Sequence, residues 1–244
     1  LESLTGGSRI KKIINGLKPE HVLYGLLIVA LLLLAVNVVF SIAGFQWNYH
    51  SGMEWRFYFD TRKTFPYYFS FALMAIVMAL VLAILLLTRH SSNTKNLWRA
   101  LVFLFLVFGF DKFLGIHNRI REFTMSKMMW YDPNSLLHYT WTIPYIILIG
   151  IFLWYIRNDF RRLEDNTQRQ FILAGAVFAT GAIIVEFIGT RYFVFIHKKM
   201  DLILVLLRTL EDFLQMIGLI IFVHALYKII HAELQEKKSG NNIN

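Results

Sequence analysis

The chain is 244 residues long, 57% hydrophobic and only 17% charged, with 22 Phe, 11 Tyr, 6 Trp and no Cys. Its mean hydropathy is +0.51 and its formal net charge +9. A soluble fold of this size would need a far more polar shell to cover so much apolar surface, and disorder, a disulfide-rich secreted domain and a nucleic-acid-binding module fit no better. The missing cysteines exclude a structural disulfide, a thiolate metal site and a thiol nucleophile.

Six hydrophobic stretches approach the roughly 20 residues that a bilayer-spanning helix needs. They cover residues 21–45, 67–88, 97–121, 142–157, 170–195 and 201–228. The first is too long for a signal-peptide core and lacks a small-residue cleavage site, so it reads as a retained anchor. Pro66 introduces the second, and Pro144 falls in the first turn of the fourth, where proline is tolerated. The ten-residue alternation of barrel strands is absent. The expected fold is therefore an all-α integral membrane protein, a six-transmembrane-helix bundle. Residues 1–20 form its N-terminal tail, 21–230 the membrane domain and 231–244 the C-terminal tail.

Basic residues between the spans orient the bundle. The two tails and the second-to-third and fourth-to-fifth loops together hold 14 Lys/Arg, against 9 on the other side. That bias predicts both termini in the cytoplasm of a bacterial inner membrane. Residues 8–18 could form a short basic interfacial helix or a simple charged tail. Trp47, Trp55, Trp130 and Trp141 in the outer loops suit an aromatic belt at the headgroup level.

An ionisable side chain inside a span costs on the order of 3 kcal/mol on insertion scales, so it needs a partner or a use. The third span holds Asp111, Lys112 and His117; the fifth holds Glu186; the sixth holds Arg208, Glu211, Asp212 and Gln215. At about 1.5 Å per residue, Asp111 lies roughly 18 Å from Arg99, Glu211 about 15 Å from Asp201, and Glu186 about 24 Å above the inner end of its helix. All three thus fall in the outer half of a core about 30 Å thick. At about 100° per residue, the four polar residues of the sixth span share one arc. Gly175, Ala179, Ala182, Glu186 and Gly189 form a stripe of mostly small residues that should face the bundle. Asp111, Gly115, Asn118 and Glu122 align on the third span, while His117 points elsewhere and His224 and His231 lie off the polar stripe of the sixth. The third span is also rich in Phe (Phe103, Phe105, Phe108, Phe110, Phe113), as core or lipid contact.

These stretches resemble an uncharacterised family of polytopic bacterial membrane proteins. That family has an LDE…HE-like motif in its third span, an EExxExxG-like motif in its last span and a small-residue stretch ending in Glu. FDKFLGIHN carries the first resemblance through Asp111 and His117, AGAVFATGAIIVE the small-residue stretch ending at Glu186, and EDFLQMIG the last through Glu211, Asp212 and Gly218. Lys112, Asn118 and Gln215 replace family Glu positions, so the carboxylate set that would suit a divalent metal is reduced and gains a cation.

Three functions stay open, and with them whether the protein is an enzyme. In the first, Asp111, Glu186, Arg208, Glu211, Asp212 and Gln215 line a pocket in the outer half of the bilayer, in a ligand- or ion-binding, transport or channel component. The second is an intramembrane metal-dependent hydrolase acting on lipid or a lipid-linked substrate, with Asp111, His117, Glu186 and Glu211 as ligands of a divalent metal. The third is a structural subunit or assembly factor of a larger membrane complex, in which the ionic cluster locks helices together. The expected partners are the lipid bilayer and either a second copy or a larger membrane complex, with no nucleic acid.

Overall fold

The structure is a computed structural model that describes residues 18–47, 52–59, 63–87, 94–116, 119–120, 122–123, 142–196 and 200–241. Among the described residues it is all-helical. α1 covers Pro19–Trp47, α2 Phe65–Leu87, α3 Lys95–Leu114, α4 Thr142–Phe160, α5 Asp165–Ala179, α6 Glu186–Phe195 and α7 Leu202–Asn241. A short 3₁₀ turn, Glu54–Phe57, follows α1, and a π-helical segment, Thr180–Val185, joins α5 to α6.

Among the described residues, five helical stretches are long and apolar enough to cross a membrane: α1, α2, α4, the α5–α6 rod and α7. α3 has the length of a span at 20 residues but includes Lys95, Arg99, Asp111 and Lys112. It also stops earlier than its sequence suggests. Gly115 takes a left-handed backbone (φ 65°) and its N–H bonds back to the Asp111 carbonyl, which ends the helix as glycine caps do. Asp111 therefore sits in the last turn of α3, and the helix expected to carry it in line with Glu122 is interrupted at Gly115. His117, Asn118 and residues 8–17 and 124–141 lie outside the described residues.

α7 is the axis of the bundle. More than half of its apolar window is buried (56%), against 11–33% in the other four spans. α1, α2 and the α5–α6 rod all pack on it, while α3 leans on α2, and α4 packs chiefly on α3. Leu73, Val77, Val81 and Ile84 of α2 are buried in one stripe, as are Leu97, Leu101 and Leu104 of α3 and Met216, Ile220, Val223 and Leu226 of α7. Lipid tails are as apolar as these side chains, so close van der Waals fit has to supply the association. At 40 residues, α7 is about 60 Å long by the helical rise, so it outruns a 30 Å bilayer core, and Leu234 is still buried near its end.

Two glycines set how closely the rod approaches α7. A Cβ on Gly181 would stand 2.6 Å from the Glu211 carbonyl oxygen, and one on Gly218 would stand 2.8 Å from the Ala174 carbonyl oxygen and the Phe178 Cβ. Gly175, on the same small-residue stripe, has nothing within 4 Å of such a Cβ. At the other end of the bundle, buried Asp159 of α4 accepts from the Leu97 N–H in the first turn of α3 at 3.3 Å. This joins α4 to α3 and satisfies an otherwise orphaned helix donor.

Gly181→Ala and Gly218→Ala should each destabilise the bundle by about 1–3 kcal/mol through overpacking. Gly175→Ala should be neutral or slightly stabilising because alanine is the better helix former. Unfolding in a mixed-detergent titration would measure all three.

Candidate functional site

Between the α2–α3–α4 side and the α5–α6–α7 side lies a cavity of about 920 Å³. Its walls are mainly apolar, with Leu101, Leu104, Phe105, Phe108, Ile149, Phe152, Phe178, Leu219 and Phe222 among them. Aromatic rings meet along it: Phe108 stacks on Phe178 with centroids 6.1 Å apart, and Phe105 meets Phe222 at 5.3 Å. The Phe-rich face of α3 is thus split, with Phe105 and Phe108 on the cavity and Phe103, Phe110 and Phe113 exposed.

Polar residues gather where α3 ends and where α4 begins. Asp111 and Lys112 come from α3, Tyr145 from α4, Glu186 from the start of α6, Glu211, Asp212 and Gln215 from α7, and Ser70 from α2, and all of them line the cavity. Lys112 Nζ donates to Ser70 Oγ at 2.6 Å. The ammonium also suits the C-terminal turn of α3, where the helix carbonyls carry partial negative charge. The Tyr145 hydroxyl hydrogen-bonds to the Asp111 carboxylate, and Gln215 Nε2 donates to Glu211 Oε1 at 3.4 Å. The cavity wall on the rod includes Gly175, Ala179, Ala182 and Glu186, whereas Gly189 turns towards Leu207 of α7. The small-residue stripe therefore lines the cavity for most of its length.

Five of the six expected pocket residues thus line this one cavity: Asp111, Glu186, Glu211, Asp212 and Gln215. Arg208 does not join them. It lines a second cavity of about 380 Å³ with Asn37, Ser41, Tyr58, Phe59 and Thr209, and its guanidinium stands 5.8 Å from the Phe193 ring centroid. The polar arc of α7 is wide enough to straddle two interfaces, and Arg208 and Thr209 fall on the side facing α1. There Thr209 Oγ1 donates to Asn37 Oδ1 at 2.9 Å, and Asn37 Nδ2 donates to the Phe57 carbonyl at 3.1 Å. His224 and His231 line neither cavity. Among the described residues no three His, Asp or Glu side chains are grouped so as to hold a metal ion. His117, one of the four expected ligands, is outside those residues.

Sequence reasoning missed Ser70, Tyr145 and Asp159. Ser70 and Tyr145 are each a single polar residue in an otherwise apolar stretch, Asp159 is one of several charged residues at the end of α4, and only the neighbour across the bundle shows what each does.

The fold and its cavities define a multi-helix bundle built from apolar helices of membrane-spanning length. Over residues 23–229 the chain matches the model of a family described as a domain of unknown function (DUF8692), and it belongs to that family. No curated protein and no solved structure matches it.

Hydrogen bonds to charged groups are worth about 1.5–3 kcal/mol, so an Asp111→Asn and Tyr145→Phe double-mutant cycle should give a coupling of about 1–2 kcal/mol. Unfolding titrations of the four proteins would measure it, and additive losses would show that the pair acts independently.

Proposed function

We propose that the protein is a multi-pass protein of the bacterial inner membrane with both termini in the cytoplasm. Its large cavity binds a ligand with an apolar body and a cationic group, as a binding, transport or channel component. What carries this reading is the make-up of that cavity: a mainly apolar volume of about 920 Å³ lined by the carboxylates Asp111, Glu186, Glu211 and Asp212, with Lys112, Arg157 and Arg161 as its basic residues. Pockets of this size suit drug-sized ligands, with most of the contact apolar and a few polar groups fixing orientation. Four half-buried carboxyl groups on one largely apolar cavity favour a positive group there. The exposed apolar face of α4, with Ile143, Ile147, Ile151 and Trp154, suits contact with lipid tails. The excess of basic residues on the side of the two tails supports the orientation.

The binding test uses the full chain in discs of neutral lipid and a fluorescent alkyl quaternary-ammonium probe. Saturable binding is expected, with Asp111→Asn and Glu211→Gln each weakening it about tenfold, equivalent to about 1.4 kcal/mol. An alkyl sulfonate probe that binds equally well, or variants that bind unchanged, would sink the reading. The orientation can be read separately, because the chain has no native cysteine. A thiol reagent that cannot cross the membrane should label Ser239→Cys only after the cytoplasmic face is opened.

A further inference from the structure

The second cavity differs in charge from the first. Arg208 is the charged residue of its described lining; Glu54, Asp201, Glu211 and Asp212 do not line it. One lining side chain has no partner. Ser41 is 1% exposed, and its Oγ makes no hydrogen bond to any described residue. A buried hydroxyl without a partner costs about 1–3 kcal/mol in proteins, so such groups normally find a protein or ligand atom.

The neighbouring groups have complementary roles. The Thr209 hydroxyl is committed as a donor towards Asn37 Oδ1 and the Val205 carbonyl, which keeps the α1–α7 wall in place. Burial first, and the Glu54 carboxylate second, push the Tyr58 phenol above its usual value. Its hydroxyl thus stays protonated at neutral pH and can donate. Arg208, Tyr58 and Ser41 thus all line one space, and each carries a hydrogen-bond donor. At about 380 Å³ that space is larger than a bare oxyanion needs, and Phe45, Phe59 and Met200 supply apolar wall for an organic remainder.

We infer that this cavity, formed by the end of α1, the segment after the 3₁₀ turn and the first turns of α7, is a binding site for a phosphate-bearing ligand. The Arg208 guanidinium and the Ser41 and Tyr58 hydroxyls hold its oxyanion. Guanidinium suits this role because its fork of donors meets phosphate oxygens in pairs. The site lies near the ends of two membrane-length helices, so a phospholipid headgroup and a free phosphate share the required chemistry. This inference is independent of the ligand proposed for the larger cavity.

Isothermal titration of the full chain in neutral detergent tests it, with soluble dihexanoyl phosphatidic acid, inorganic phosphate and uncharged dihexanoylglycerol as probes. Phosphatidic acid should bind saturably. Ser41→Ala should weaken it about tenfold, as expected for losing one hydrogen bond to a charged group, and Arg208→Gln should weaken it further. Tighter binding of the lipid than of inorganic phosphate would identify a headgroup, and equal binding a free phosphate; both support the site. Equal binding of dihexanoylglycerol, or no saturable binding of either phosphate probe, would overturn it. Ser41→Ala removes an unpartnered group and should fold at least as well as the parent. With Tyr58→Phe it keeps the test decisive if Arg208→Gln does not fold.

Discussion

The architecture depends on how closely the α5–α6 rod can approach α7. Between membrane helices the hydrophobic effect gives little driving force, because a side chain leaving lipid for protein stays in apolar surroundings. Backbone contact has to provide the attraction instead. Gly181 and Gly218 allow it at two levels, one from each helix, with backbone atoms filling the space that a methyl group would occupy. The π turn at Thr180–Val185 lies at one of these crossings. Thr180 Oγ1 bonds the Ala176 carbonyl at 2.8 Å, which adds a side-chain partner where the helical ladder is widened.

That contact shapes the larger cavity. With the rod held against α7 and α4 packed chiefly on α3, a gap opens along the bundle and aromatic rings only partly close it. Its polar end includes the point where α3 stops. α3 ends at the Gly115 cap, which puts Lys112 in a helix C-terminal turn, the favourable sign for the local dipole. Glu186 instead follows the π segment inside the continuous α5–α6 rod. Charged groups are tolerated there because they have nearby polar partners: Lys112 reaches Ser70, and Asp111 meets Tyr145.

Residues less than one helical turn apart along α7 line two different cavities. Arg208 and Thr209 face α1, while Glu211, Asp212 and Gln215 face the larger cavity. A helix packed on several sides can divide a single polar arc among different neighbours. Angular position on one helix is therefore a poor guide to which side chains share a site. The buried Asn37 and Thr209 pair fixes the α1 side of this division and ties the segment after α1 to it through the Phe57 carbonyl.

From the sequence alone, the helical class, the approximate spans and the polar residues Asp111, Glu186, Glu211, Asp212 and Gln215 were legible. Long apolar runs and costly intramembrane charges are local signals that need no knowledge of neighbours. Tertiary structure decided the rest. Gly175 and Gly181 are both small residues on one helix, yet only Gly181 meets backbone. Arg208 has the same periodicity as Glu211 but belongs to another interface. Ser70 and Tyr145 look like isolated polar residues until α3 places Lys112 and Asp111 beside them. The sequence determined which groups must avoid lipid, because desolvation is a property of each side chain; the packed helices decided which groups meet, because contact is a property of pairs.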